Sequence, residues 1–231
     1  MKYDSIATEY QDYGTSALTE VEFGYKPELA LLEPLSGKTV LDYGCGVGKF
    51  CVRLAERGAT VHGVDTSGEM IRLARAHRGD RLSFYTITGS EALRNSPNTF
   101  DAVVLNFVLC TFTDKDEILK TLEHIRAAMK PGATLLVLSA NVEECLGIKF
   151  QSFLQNKIED PKLGDELRVT LHSEKPFDIF DTYWTTDFYI ELLRRAGFTV
   201  AHIYKQKAAP DDTRFVAEHE IAPLVIIEAS S

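Results

Sequence analysis

The sequence predicts an α/β fold: a doubly wound, mostly parallel sheet of seven strands, with a helical N-terminal segment and an insertion after the fifth strand. Three observations predict it. Short apolar runs alternate with amphipathic segments from residue 39 onward. The first five runs are nearly continuous in apolar residues, as strands covered on both faces are. A glycine-rich turn within "VLDYGCGVGKF" (40–50) follows the first of them.

The elements follow in order. Residues 1–35 precede the first strand and read as helical and aromatic. A strand at 39–43 leads to a helix at 48–57, and a second strand at 60–65 leads to a helix at 67–78. Thr66 and Glu69 have the spacing of a capping box ahead of the apolar Met70, Ile71 and Ala74. A strand at 82–87, a short helix at 90–95, a strand at 100–106 and a helix at 115–129 come next. Pro131 and Gly132 break that helix before the strand at 134–139. Residues 140–184 are far longer than an ordinary connection. Long excursions at the carboxyl edge of a parallel sheet build substrate lids, because ligands of open α/β sheets bind there. A helix at 185–196 follows, capped by Thr185 or Thr186, with Asp187 in its first turn, Arg194 and Arg195 in its last, and Gly197 just beyond. Strands at 199–204 and 223–229 complete the sheet.

Composition narrows the function. A formal net charge of −9 repels polyanions, which counts against a nucleic-acid partner. The densest basic stretch, "RLARAHRGDR" (72–81), reads as the solvated face and end of one helix. No window approaches about 18 uninterrupted apolar residues, so no membrane partner is expected. The N-terminal "MKYDSIATEYQDYG" lacks the apolar centre of a signal peptide, and a cytoplasmic location is expected. Cys45, Cys51, Cys110 and Cys145 form no C-x-x-C pair and sit mostly among apolar neighbours. They read as reduced core thiols, with no metal site.

The glycine turn carries the chemistry. Gly44, Gly46 and Gly48 fall at every second position after Asp42, and glycine lets a backbone turn sharply and approach a ligand closely. A dinucleotide-binding turn needs G-x-G-x-x-G; here the third glycine comes one residue early and Lys49 stands in the last place. No G-K-[ST] follows, so the phosphate-loop pattern is absent too.

An acid followed by G-x-G-x-G resembles the first motif of the class I S-adenosylmethionine-dependent methyltransferases. The resemblance continues with Asp65, which ends "TVHGVD" and lies where the family's ribose-binding acid stands. "FDAVVLNFVLCTF" (100–112) looks like the family's fourth strand and the segment after it, and "MKPGATLLV" (129–137) resembles its proline-glycine break and fifth strand. "FYIELLRRAGFTV" (188–200) is similar to the segment before its last strands, and "YDSIATEY" (3–10) has the Y-x6-Y look of the N-terminal lid of small-molecule members. The opening "YDSI", with an aromatic stretch before "AGF", is somewhat similar to toxoflavin-type heterocycle N-methyltransferases.

The resemblance implies a Rossmann-like methyltransferase fold in one domain: a lid at 1–35, a cofactor-binding core at 36–139, a substrate cap at 140–184, and a C-terminal helix with the last strands at 185–231. It implies S-adenosyl-L-methionine as cofactor and S-adenosyl-L-homocysteine as product. Asp42, Gly44, Cys45 and Gly46 would line the methionine end, Asp65 would hold the ribose, and Thr66 or Met70 would border the adenine. Asn106 and Phe107 would face the sulfonium, and Ser90 would sit by the adenine edge. Many members carry an adenine-binding acid near Gly89, where this chain has Gly89–Ser90, with Glu91 next.

Methyl transfer from a sulfonium is an in-line displacement, in which much of the catalysis is alignment. A general base matters when the nucleophile must lose a proton. Candidate bases are His172, in the excursion, and His219, flanked by Glu218 and Glu220. Tyr3 and Tyr10 would close over the cofactor, while Tyr13, Tyr183 and Trp184 would meet the substrate. The expected reaction is methylation of nitrogen or oxygen, in preference to carbon, of a small aromatic or heterocyclic acceptor by a monomer or homodimer. The alternatives are a nucleic-acid or protein methyltransferase and a non-catalytic cofactor-binding protein. The D/N-P-P-Y/F signature of amino-directed nucleic-acid enzymes is missing, since "LNFVLC" has no proline.

Overall fold

Alternation of apolar side chains on both faces is what makes the central sheet of this chain, described by a computed structural model for residues 3–13 and 17–231. Residues 1–2 and 14–16 of the expected lid lie outside the described residues. In chain order the helices and strands are α1 (Ala7–Tyr13), α2 (Leu18–Glu20), α3 (Lys26–Leu32), β1 (Thr39–Tyr43), α4 (Lys49–Glu56), β2 (Thr60–Asp65), α5 (Gly68–Ala74), β3 (Leu82–Thr86), β4 (Phe100–Asn106), α6 (Lys115–Ala128), β5 (Met129–Ala140), α7 (Val142–Cys145), β6 (Phe153–Gln155), β7 (Glu166–Leu171), β8 (Phe177–Thr182), α8 (Thr186–Arg195), β9 (Thr199–Tyr204) and β10 (Leu224–Ser230). A π-helical turn, Val21–Tyr25, joins α2 to α3.

Seven strands form one sheet in the order β3-β2-β1-β4-β5-β10-β9. The first five are parallel, and β10 runs antiparallel to both β5 and β9. Val40, Val61, Val104 and Leu136 point to the face covered by α3, α4 and α5. Leu41, Val103, Leu105 and Val137 point to the face covered by α6 and α8. Two covered faces explain why these strands read as unbroken apolar runs. The expected seven-stranded, mostly parallel, doubly wound sheet is therefore the one observed.

Two local expectations need correction. Ser67, not Thr66, caps α5: its hydroxyl accepts from the Met70 N–H at 3.1 Å, while the Glu69 carboxylate pairs with Arg72. Pro131 and Gly132 do not precede β5 but lie inside it, near its start, because α6 has already ended at Ala128. Residues 140–184, expected as a cap with no elements assigned to it, carry a second, antiparallel sheet in the order β6-β7-β8.

That cap sheet follows the period-two rule in full. Phe153 and Gln155 on β6, Leu167, Val169 and Leu171 on β7, and Ile179 on β8 are buried or nearly so, while Leu154, Arg168, Thr170, Asp178 and Phe180 alternate outward. Strand pairing sets Gln155 opposite Val169 and Val169 opposite Ile179. The cap's apolar face joins the same core as the N-terminal helices, so cap and lid close over one edge of the main sheet. Trp184 and Tyr183 follow the cap, but Trp184 packs into the other core.

Gly48 shows how tightly the first crossover is built. Its φ of +78° lies in the left-handed region, and an added Cβ would meet the Phe84 ring at 2.8 Å and Ala74 at 3.2 Å. Gly48→Ala is therefore expected to destabilise the chain by about 2 kcal/mol or more, from left-handed strain plus overpacking. Urea unfolding at equilibrium checks it, and an unchanged midpoint would contradict the packing described.

Candidate active site

The carboxyl end of β1 has no room to continue as a strand, and backbone bonds show what replaces it. Gly44 N–H and Cys45 N–H both donate to the Val64 carbonyl, at 2.7 and 2.9 Å, which folds the turn against the end of β2. Gly44 and Gly46 take φ of +80° and +52°, a region that side chains rarely adopt. An added Cβ at Gly46 would meet nothing within 4 Å, so this backbone faces open space. Asp65, at the end of β2, accepts from Gly46 N–H at 2.9 Å through one oxygen and from Ser67 N–H at 2.8 Å through the other. One carboxylate thus ties the glycine turn to the start of α5.

A continuous cavity extends from this turn to the cap. Asp42, Gly44, Cys45, Gly46, Asp65, Thr66, Met70, Asn106 and Phe107 all line it, as do Tyr3, Tyr10 and Tyr13. Phe107 holds a φ of +56°, a strained conformation for an aromatic residue, and its N–H donates to the Leu138 carbonyl at 2.9 Å. That kink ends β4 and turns Asn106 and Phe107 to the cavity. Neither polar atom of the Asn106 amide has a hydrogen-bond partner, and both are shielded from solvent. Buried amides are normally bonded, so this one points to a missing ligand.

The lid is aromatic for a physical reason. Tyr3, Tyr10 and Tyr13 contact one another edge to face, and Phe177 of the cap meets Tyr10 and Tyr13 at 6.0 and 6.2 Å between centroids. Burial pushes all three phenols above their ordinary range, and Asp181 of β8 raises Tyr3 and Tyr10 further.

Five expected residues stand elsewhere. The His172 ring lies at the outer end of β7, 3.3 Å from the Gln151 carbonyl, and His219 sits on the C-terminal segment; neither lines the cavity. Glu218 does not serve His219: it accepts from Thr19 and from Gln151 N–H, at 2.9 and 2.8 Å. Trp184 donates its indole N–H to the Phe112 carbonyl at 2.8 Å and stacks on Phe188, so it is a packing residue. Tyr183 is buried in the core beneath the cap. Ser90 is held by His124 at 2.8 Å and Thr121 at 3.4 Å, away from the cavity, and Glu91 pairs with Lys120.

The structure adds residues that the motifs did not point to. Glu20, Tyr25, Lys49, Arg53, Gln155 and Asp181 all line the cavity. Lys49 and Arg53 stand four apart on α4, hence on one face, and they are the two cations of the lining. The Lys49 ammonium is committed to the Gln11 carbonyl, whereas no carboxylate of the described residues pairs with Arg53. Alternation in "ELRVTL" and "FDIFDT" was the signal that would have brought Asp181 inward.

Buried acids set the electrostatics. Burial pushes Asp42 up to about 7; the Cys51 thiol, donating at 3.1 Å, opposes this, and the Asp65 charge adds to it. Burial, reinforced by Asp42, holds Glu28 well above the carboxylate range. Burial raises Glu20 as well, against the bond it accepts from the Tyr13 hydroxyl.

A glycine cradle open to a cavity, an acid beside it and an orphaned amide fit an adenosyl amino acid with a cationic centre. The sequence agrees. A family model described as a methyltransferase domain matches residues 22–203. The chain is 30% identical over 191 residues to N-demethylindolmycin N-methyltransferase of Streptomyces griseus, covering 79% of each. It is 34% identical over 122 residues to the ubiquinone biosynthesis O-methyltransferase of Sinorhizobium medicae, covering 52% of this chain and 47% of that one. Its fold matches the crystal structure of Burkholderia thailandensis 1,6-didemethyltoxoflavin-N1-methyltransferase with bound 1,6-didemethyltoxoflavin and S-adenosylhomocysteine. That match has a TM-score of 0.63 at 20% identity and covers 99% of this chain and 85% of the other. The chain belongs to the methyltransferase-domain family and is an S-adenosylmethionine-dependent methyltransferase.

Two measurements follow. Asp65→Ala removes a charge-assisted pair of backbone bonds and a cofactor-facing carboxylate, and should weaken S-adenosylhomocysteine binding about tenfold or more. Calorimetry showing unchanged affinity would contradict it. The buried acids also give a pH dependence. Folded Asp42 keeps its proton to about 7, while its ordinary value is 3.8. Its contribution to stability is thus complete below 3.8 and lost as pH rises through 7, and Glu28 and Glu20 act in the same sense. The melting temperature of the ligand-free protein should fall between about pH 5 and about pH 8, with Glu28→Gln flattening the decline.

Proposed function

We propose that the enzyme methylates a nitrogen or oxygen of a small, flat, aromatic or heterocyclic acceptor. The observation that carries this reading is the chamber beyond Asn106 and Phe107. Its walls are Phe112, Phe153, Val169, Leu171 and Ile179, with the tyrosines of the lid across from them. Such a lining suits a planar ring and excludes water from the reacting centre. The relatives whose names include an indolmycin precursor and a toxoflavin precursor support a heterocycle, and the ubiquinone-pathway relatives support an oxygen acceptor as the second reading.

The chain's own residues would divide the work as follows. S-adenosylmethionine, when bound, supplies a methyl group already activated on a cationic sulfur. Asp65 would bind the ribose hydroxyls, and Met70 and Ile87 would flank the adenine. Arg53 would hold the methionine carboxylate, while Asp42 and Asn106 would meet its ammonium group. Asp42 binds a cation best when ionised, so affinity for the cofactor should rise with pH toward about 7. Aligning the nucleophile with the methyl group is itself worth several kcal/mol, roughly up to 10 in favourable geometry. A closed lid and a rigid cap supply that alignment without a dedicated nucleophile.

Purified protein with radiolabelled cofactor should methylate members of a heterocycle and phenol library and leave RNA and protein unlabelled. Label appearing in the macromolecules alone would overturn the reading. Arg53→Ala should raise the cofactor KM about tenfold, by loss of one charge-assisted bond, with little change in acceptor KM.

A further inference from the structure

The inner face of the cap contains one residue that its neighbours do not explain. Phe153, Leu171, Val169 and Ile179 make that face apolar, yet Gln155 stands in the middle row, opposite Val169. Gln155 is 1% exposed, and its side-chain carbonyl oxygen has no hydrogen-bond partner. A buried amide oxygen left unbonded costs about 1–3 kcal/mol, so an amide in an apolar row is retained for something that bonds it.

A second oxygen in the same cavity is in the same condition. Glu20 is 6% exposed; one of its carboxylate oxygens accepts from the Tyr13 hydroxyl, and the other has no partner. Asp181 supplies a further carboxylate to the lining from β8. Among the described residues the two cations of the lining, Lys49 and Arg53, belong to α4. The inner face of the cap and the neighbouring lid therefore offer unbonded polar atoms in an otherwise apolar, aromatic box.

We infer that the acceptor is a neutral, N–H-bearing nitrogen heterocycle whose ring N–H is read by Gln155, with Glu20 meeting a second polar atom of the ring. The inference rests on the proposed small-molecule reading and narrows it. Gln155 is the specificity-determining residue: its oxygen takes a ring N–H, and the free Glu20 oxygen bonds another polar atom of the same ring. Ring faces lie against Val169, Leu171 and Ile179, so an apolar isostere fits the space but leaves both oxygens unbonded. Sites built to bond a donor reject analogues that lack it far more strongly than apolar pockets reject one methylene. The step balances simply: the ring nitrogen forms the N–C bond, the sulfur–carbon bond breaks to release S-adenosylhomocysteine, and the methylated ring gives up its proton to solvent as it leaves the opened site.

The test uses the full chain and labelled S-adenosylmethionine. The probes are indole, benzimidazole, xanthine and lumazine, with catechol and 4-hydroxybenzoate as oxygen nucleophiles. Calorimetry with S-adenosylhomocysteine accompanies every variant. The expected result is transfer to at least one nitrogen probe and to neither oxygen probe. Gln155→Leu should raise that probe's KM about tenfold or more with a smaller effect on kcat, since one bond to the bound ring is lost. Glu20→Gln keeps a neutral polar group for both Tyr13 and the ring, and should change that probe's KM less than Gln155→Leu does. Homocysteine-product affinity should stay within about twofold in both variants, a result that a merely collapsed cap would not give. Transfer to the oxygen probes alone, transfer to no nitrogen probe, or an unchanged KM in Gln155→Leu would overturn the inference. Loss of S-adenosylhomocysteine binding in the parent protein would instead overturn the cofactor assignment beneath it.

Discussion

One carboxylate, that of Asp65, holds the geometry on which the remainder of the site depends. Its two oxygens bond the N–H groups of Gly46 and Ser67, so the turn after β1 and the cap of α5 share a single anchor. Without it, a turn of left-handed glycines would be free to sample many conformations, because glycine loses the most backbone entropy on ordering. Ser67 then completes the assembly, capping α5 through Met70 and meeting Asp4 of the lid. Cofactor cradle, helix cap and lid are thus connected through two neighbouring residues.

The second organising feature is a concentration of buried acids without cations to match them. Asp42, Glu28 and Glu20 lie in the core around the cavity, and burial raises all three. A folded chain carries such groups at a cost, since burying an unpaired charge is unfavourable and the group retains its proton instead. A sulfonium and an ammonium entering the same cavity reverse that cost. Asp42 is the member in direct line, because it shares the cavity wall with Gly44 and Asn106. Function and instability therefore meet at the same residues, as is common where catalytic sites are built.

The edges of the site differ in how they are made. Around the glycine turn, backbone and short side chains supply the cavity lining, and their positions follow from strand ends and one glycine turn. Toward the cap, side chains from three remote segments meet: the tyrosines of α1, the π-helical turn with Tyr25, and the inner face of the cap. π-helical turns often mark functional sites, and this one brings Val21 and Tyr25 to the cavity.

That division separates what was legible in the sequence from what was not. The sequence by itself determined the sheet, because continuous apolar runs can only be strands covered on both faces. The cofactor followed from the family that the glycine spacing, Asp65 and the later motifs resemble, all of them patterns within short stretches of chain. His172, His219, Trp184, Tyr183 and Ser90 were assigned by neighbourhood along the chain, and folding left all five out of the cavity lining. Only the tertiary structure decided the cavity wall between lid and cap. Glu20, Arg53, Gln155 and Asp181 lie far apart in sequence and carry no shared motif, and their meeting depends on how cap and lid pack over one sheet edge. Local spacing encodes contacts made within a turn or between a strand and the next helix; contacts across 130 residues are encoded only in packing.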